Sequence, residues 1–263
     1  MTGPRASRRP AWTERFSLAG RRALVTGASA GIGAEVARVY ADAGADLALV
    51  ARSAEGLERT AAAVRALGRG AQAIPADLAA PEGCAEAARR ALDAGPVDIL
   101  VHSAGVARVA PALELSLEDW EATFALNVRA AFLLARAVAP DMIARRWGKM
   151  VMISSQTGVI AAPGHAAYAA SKGALNALTK SLMVEWAPHN VQVNAICPTV
   201  VMTPMGREIW GPEEKGGPMR AATPLGRFGE PVEVADLALY LASPAAELVN
   251  GALVMIEGGY SST

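Results

Sequence analysis

The sequence predicts one α/β domain built on a Rossmann fold: a doubly wound, seven-stranded parallel sheet with helices on both faces and a small lid lobe. Three observations predict it. Short apolar runs alternate with Ala-rich helical segments along almost the whole chain. The first run leads into a Gly-rich turn and then a helix, the arrangement of a dinucleotide-binding βαβ unit. Hydrophobic residues make up 52% of the chain and aromatics only 5%, which suits small-residue helices covering a parallel sheet. A length of 263 residues is enough for one large core.

Charge and cysteine usage narrow the partners. Lys+Arg and Asp+Glu number 25 each, so no global field draws nucleic acid or an anionic membrane. Neither is expected as a partner, and a small molecule is. Cys84 and Cys197 make no disulfide framework and fit a reducing, cytoplasmic setting. The sequence shows no uninterrupted apolar run approaching the roughly 20 residues of a membrane-spanning helix. Three isolated histidines offer no metal-ligand cluster, so no metal is expected. Residues 1–17 carry Arg5, Arg8, Arg9 and Arg15 without the apolar centre of a secretion signal, and read as a disordered basic arm ahead of the domain at 18–263.

Taken in order, Arg22–Thr26 is a short buried strand. Gly27, Ser29, Gly31, Ile32 and Gly33 then form a turn into a helix start. Backbone N–H groups there face an anion, and missing β-carbons let a diphosphate approach. Asp46–Ala51 is the second strand. About 20 residues past the glycines, where an NAD-binding protein places a carboxylate for the ribose 2′-hydroxyl, the chain has Ala51, then Arg52 and Ser53. Nothing repels a 2′-phosphate there and Arg52 can bind one, so NADP(H) is favoured over NAD(H). Ala71–Pro75 is the third strand, with Asp77 and Leu78 at its C-terminal end; Asp77 is a candidate for the adenine amino group or for a helix cap. Residues 97–101 form the fourth strand, running into His102, Ser103, Ala104 and Gly105, small residues under the cofactor apart from a structural His102.

Residues 116–146 read as one long helix or two joined, with Asn127 among apolar neighbours. Such an Asn either makes a structural bond or holds a water. Residues 149–154 are the fifth strand, 191–196 the sixth and 252–256 the seventh, with a helix over 231–241. Residues from about 200 to 227 are rich in Gly and Pro and read as an irregular lid carrying Trp210, which packs on substrate or in the lid itself.

The stretch Ile153–Lys172 carries the chemistry. Tyr168 and Lys172 lie four apart in a helical run, on one face and one turn apart. An ammonium beside a phenol favours the phenolate, so the Tyr168 pKa is expected to fall. Ser155 precedes a loop that can bring its hydroxyl to the Tyr oxygen. Together these move a proton on and off a carbonyl or alcohol oxygen.

With T-G-x-x-x-G-I-G at Thr26–Gly33, Asn127, Ser155, Tyr168 and Lys172 in order, and a Ser-to-Tyr interval of 13, the chain resembles the short-chain dehydrogenase/reductases from about Leu18 to Tyr260. The resemblance implies hydride transfer between a nicotinamide cofactor and a carbonyl carbon. Tyr168 is then the acid/base, Lys172 its tuner and ribose contact, Ser155 the substrate-oxygen donor, and Asn127 the holder of a relay water. It adds Val201 and Thr203 to the cofactor contacts. Two departures stand out: His102-Ser103 replaces the usual Asn-Asn, and Pro198-Thr199 replaces the usual Pro-Gly. The run NAICPTVVMTPMG, with Gln156, His165 and Trp210, is similar to the dicarbonyl/L-xylulose reductase and bacterial polyol dehydrogenase branch, which implies that these three residues line a substrate pocket and that the assembly is a homotetramer. Reduction of a 3-oxoacyl thioester and a non-catalytic dinucleotide-sensing scaffold are the alternatives.

Overall fold

A computed structural model describes residues 10–262. Its sheet runs β3 (Ala71–Pro75), β2 (Asp46–Ala51), β1 (Arg22–Thr26), β4 (Ile99–His102), β5 (Gly148–Ile153), β6 (Val191–Pro198) and β7 (Leu253–Ile256), every neighbouring pair parallel. The strand order reverses between β1 and β4, and ligands in such a sheet gather outside the C-terminal ends at that switch point.

Side chains alternate across the sheet because the strand repeat is two residues. Ala23 and Val25 join one core with α2 (Gly31–Asp42), α3 (Ala54–Ala66) and α10 (Pro231–Ala242). Leu24 joins the other core with α4 (Pro81–Asp93), α6 (Ala130–Arg145) and α7 (Ala166–Trp186). Burial of both faces is why the strands read as apolar runs rather than as alternating ones. On the first face the fully buried Tyr40 donates its hydroxyl to the Ala238 carbonyl at 2.9 Å, tying α2 to α10.

The long helical segment is α5 (Leu117–Phe124), a π-helical turn at Ala125–Arg129, then α6. Joined, Leu117–Arg145 is long and apolar enough in composition for a membrane span, a run obscured in the sequence by Asn127, Arg129 and Arg136. Half of its most apolar window is buried inside the fold. The lid is also more ordered than expected. It holds two short helices, α8 (Pro204–Trp210) and α9 (Glu213–Ala222). Here the prolines start helices rather than break them: Pro204 follows the Thr203 N-cap and Pro212 is itself the cap of α9. Of the expected N-terminal arm, residues 1–9 lie outside the described residues. Trp12–Arg15 form one helical turn, α1, and Phe16 meets Tyr240 with ring centroids 6.1 Å apart.

The N-terminal ends of the central strands, opposite the switch point, are tied by Asp98. Its carboxylate accepts from the Arg22 backbone N–H (2.9 Å) and from the Arg145 guanidinium (2.7 Å), while the Arg22 side chain donates to the Ala91 and Gly95 carbonyls. Asp98 is 5% exposed, so removing it leaves buried donors unpaired. Asp98→Ala is expected to lower unfolding free energy by about 2–4 kcal/mol with substrate KM unchanged. Urea melts and steady-state kinetics check this; an unaltered midpoint contradicts it.

Candidate active site

The Gly-rich turn packs against three backbones at once. A β-carbon on Gly27, whose φ is +66°, would lie 2.9 Å from the backbone of Ser103 and Ala104. One on Gly33 would lie 2.5 Å from the Gly27 carbonyl. The α2 N-cap, Ala30, contributes no side-chain bond, so the first-turn N–H groups are left for an anion. Thr26 closes the switch point from behind: its hydroxyl oxygen accepts from the Ser103 and Ala104 N–H groups at 3.1 and 3.0 Å. Its own proton faces His102 Nδ1 at 3.2 Å. Burial, then the nearby Lys172 charge, hold His102 down to about 3, so the ring is neutral and accepts there.

Gly105 is where the catalytic candidates converge. A β-carbon there would sit 3.2 Å from Asn127 Oδ1 and 3.5 Å from Lys172 Nζ. Asn127 lies in the π-turn, a local widening that recurs at functional sites. Its side chain is engaged through both atoms: Oδ1 accepts from Val106 N–H (2.9 Å), and Nδ2 donates to the Val106 carbonyl and to Ser171 Oγ, both at 3.0 Å. These bonds make the side chain a structural tie between the 105–106 loop and α7, the first of the two roles expected for a buried Asn at this position.

Tyr168 and Lys172 share one face of α7, with Lys172 Nζ 5.6 Å from the Tyr168 ring centroid. Nζ donates to the Ile153 carbonyl at 2.8 Å, and burial pulls the ammonium down to about 8. The Tyr168 hydroxyl faces the Ser155 side chain, which favours the phenolate. The expected fall in the Tyr168 pKa is corrected: burial pushes it up, and the Ser155 bond offsets only part of that. Sequence spacing conveys adjacency to Lys172 but not the desolvation of the phenol. Ser155 Oγ accepts from Thr157 N–H (3.2 Å) and Oγ1 (3.0 Å), which leaves its own proton to donate.

A cavity of about 860 Å³ joins these groups to the cradle. Every residue proposed from sequence for the cofactor lines it: Gly27, Ser29, Gly31, Ile32, Gly33, Arg52, Ser53, Asp77, Leu78, Ser103, Ala104, Gly105, Val201 and Thr203. Several are already engaged. Ser53 caps α3, accepting from Gly56 N–H at 3.1 Å; Thr203 caps α8; and Asp77 accepts from Ala79 N–H at 3.0 Å. Asp77 is not the helix cap, since α4 starts at Pro81 behind Ala80. Arg52 is exposed at the rim. Gln156, His165 and Trp210 line the same cavity, with the His165 ring 6.3 Å from that of Tyr168 and its Nδ1 donating to the Pro163 carbonyl. Val109, Ile160, Met205, Ile209 and Tyr260 also line it. No motif marks them, because loops and the C-terminal turn bring them in.

The residues present fit a nicotinamide dinucleotide: the cradle has no room for β-carbons, the helix start is open to a phosphate, and the cavity runs from there to Tyr168. The family model of the enoyl-(acyl carrier protein) reductases matches residues 27–261. The chain belongs to the short-chain dehydrogenase/reductase family. Within it, the D-threitol dehydrogenase of Mycolicibacterium smegmatis is 45% identical over 250 residues, covering 94% of this chain and 95% of that protein. The L-xylulose reductase of Bos taurus is 41% identical over 247 residues, covering 94% and 98%. A solved gluconate 5-dehydrogenase from Burkholderia cenocepacia J2315, in complex with NADP and tartrate, superposes with a TM-score of 0.90 at 36% identity, covering 95% of this chain and 99% of that one. The chain is thus an oxidoreductase of CH–OH and C=O groups, in the polyol dehydrogenase branch of its family.

Lys172 sets a pH dependence of stability. Its folded pKa of about 8 lies below the ordinary 10.5, so between those values the unfolded chain binds the extra proton. Stability contributed by this group therefore rises as pH climbs from about 8 towards 10.5, and below that window the buried ammonium opposes folding. Lys172→Met is expected to flatten that slope and to stabilise the ligand-free protein at pH 7 by roughly 1–2 kcal/mol, while turnover falls. Urea midpoints at pH 7 and pH 9.5 measure both; an unchanged slope contradicts the assignment.

Proposed function

We propose that this chain is an NADP(H)-dependent oxidoreductase that interconverts a secondary alcohol of a small polyol with its ketone, with Tyr168 as acid/base. The observation that carries the reading is the polar wall beside the proton donor, where Gln156 and His165 flank Ser155 and Tyr168 in a cavity that also reaches the cradle. Such a wall suits a hydroxylated ketose or a dicarbonyl and disfavours an acyl chain. Relatives named for D-threitol and L-xylulose support the same class. When bound, the nicotinamide ring supplies or accepts the hydride. Ser155 donates to the substrate oxygen, Tyr168 gives or takes the proton there, and Lys172 stabilises the phenolate that results. Asn127 acts as a positioning residue, through the 105–106 loop.

The raised Tyr168 pKa gives the reaction a pH sign. Reduction needs the phenol, present at neutral pH; oxidation needs the phenolate, so alcohol oxidation gains as pH rises. NADP(H) preference rests on Ala51 at the end of β2 and Arg52 beside it at the rim. The exposed Phe132 and Val184 and the half-exposed β7 support a homotetramer, and the two buried free thiols support a cytoplasmic setting.

The test is kcat/KM over C4–C6 polyols, their ketoses, diacetyl and an acetoacetyl thioester, each with both cofactors. Polyols and ketoses are expected to exceed the thioester, and NADP(H) to exceed NAD(H), by at least about tenfold. Arg52→Asp should lower the NADP(H) preference by at least about tenfold, the worth of one charge-assisted contact. Preference for the thioester, or an unchanged cofactor ratio in the variant, contradicts the reading.

A further inference from the structure

The lid turns an apolar face to the cavity. Along α8 the lining residues are Met205, Gly206, Ile209 and Trp210, whereas Arg207 and Glu208 do not line it. That is the i, i+1, i+4, i+5 pattern of one side of a helix. Arg207 lines a second, smaller pocket beside α2 instead. From α9 the lining residue is Met219, while Glu213, Glu214 and Lys215 stay outside. The lid thus keeps its charges out of the cavity and its apolar side chains in it.

Two loops extend this surface towards the reacting group. Val109 and Ile160 both line the cavity. The Ile160 N–H donates to the Gln156 carbonyl at 2.9 Å, which sets Ile160 one turn past Gln156 in the loop that follows Ser155. The Val109 loop is tied to the same segment, since the Ala110 N–H donates to the Gly164 carbonyl at 3.0 Å. Val109 and Met205 are 49% and 48% exposed. Large apolar side chains grouped at a cavity rim are unfavourable in water and mark a ligand groove. Neither the dinucleotide cradle nor the polar wall at Gln156 and His165 uses them. A short polyol hydroxylated at every carbon leaves them wet or sets unpaired hydroxyls against them.

We propose that the substrate carries an apolar arm: its hydroxylated end lies at Ser155 and Tyr168, and an alkyl or aryl substituent lies along Met205, Ile209, Val109 and Ile160. The arm is assigned to the substrate because these side chains line the same continuous cavity as the proton donor. This rests on the polyol reading and deepens it, with the polar wall taking one end of the molecule and the lid face the other.

The experiment measures kcat/KM with NADP+ for threitol and for the 1,2-alkanediols from 1,2-butanediol to 1,2-octanediol, with 1-phenyl-1,2-ethanediol as the aryl probe. In the wild type, kcat/KM should rise by about two- to fourfold per methylene up to 1,2-hexanediol, as apolar atoms leave water. Ile209→Asn on the lid and Val109→Asn on the facing loop each put a polar group into this surface. Either should lower the ratio of 1,2-hexanediol to 1,2-butanediol by at least about threefold. Glu208→Gln, on the outer side of α8, should leave that ratio within about twofold. Because the readout is a ratio of two substrates, partial loss of folded enzyme cancels. A flat or falling chain-length dependence in the wild type, or an unchanged ratio in both asparagine variants, overturns the proposal. Threitol turned over with a flat dependence leaves the polyol reading standing without the arm. An enzyme that turns over the acetoacetyl thioester but neither threitol nor any 1,2-diol overturns the polyol reading, and the arm with it.

Discussion

Everything in this site depends on the absence of side-chain volume at the β1–β4 switch point. Gly27 lies against Ser103–Ala104, Gly33 against Gly27, and Gly105 against Asn127 and Lys172, each at a distance that a β-carbon would violate or crowd. Thr26 locks the first of these contacts by accepting from two successive N–H groups. The cradle, the floor of the cavity and the α7 turn that carries Tyr168 and Lys172 are thereby held close together. A substitution that widens any of these contacts would displace the cradle relative to Tyr168.

The same closeness sets the protonation states. Burial raises Tyr168, lowers Lys172 to about 8 and keeps His102 neutral. The burial of an ammonium opposes folding at neutral pH, whereas the Asp98 network at the N-terminal ends of the strands stabilises the fold. Stability and activity are thus drawn from opposite ends of the strands. A neutral His102 also has a use: its Nδ1 accepts a hydrogen bond from the Thr26 hydroxyl and so turns the oxygen lone pairs of Thr26 towards the 103–104 backbone N–H groups.

The strands were legible because both faces are buried, which turns each into an apolar run. The cradle and the Ser155–Tyr168–Lys172 set were legible because their spacing is local and fixed by turn and helix geometry. What the sequence concealed depends on tertiary context. The π-turn at Asn127 looks like ordinary helix in the sequence, and the commitment of the Asn127 amide to Val106 and Ser171 depends on a loop and a helix distant in the chain. The lid helices were hidden because Pro204 and Pro212 start helices as readily as they end them. Ser53 and Asp77 read as ligands although each also satisfies a backbone N–H nearby.

The central claim is that Tyr168, recessed beside Ser155 and Lys172, handles the proton. The most direct measurement is turnover of the preferred polyol by Tyr168→Phe together with its NADPH affinity. The account predicts a fall in kcat of about 10²- to 10⁴-fold with NADPH affinity within about twofold of wild type. Turnover retained to within about tenfold, with the cofactor still bound, would contradict it.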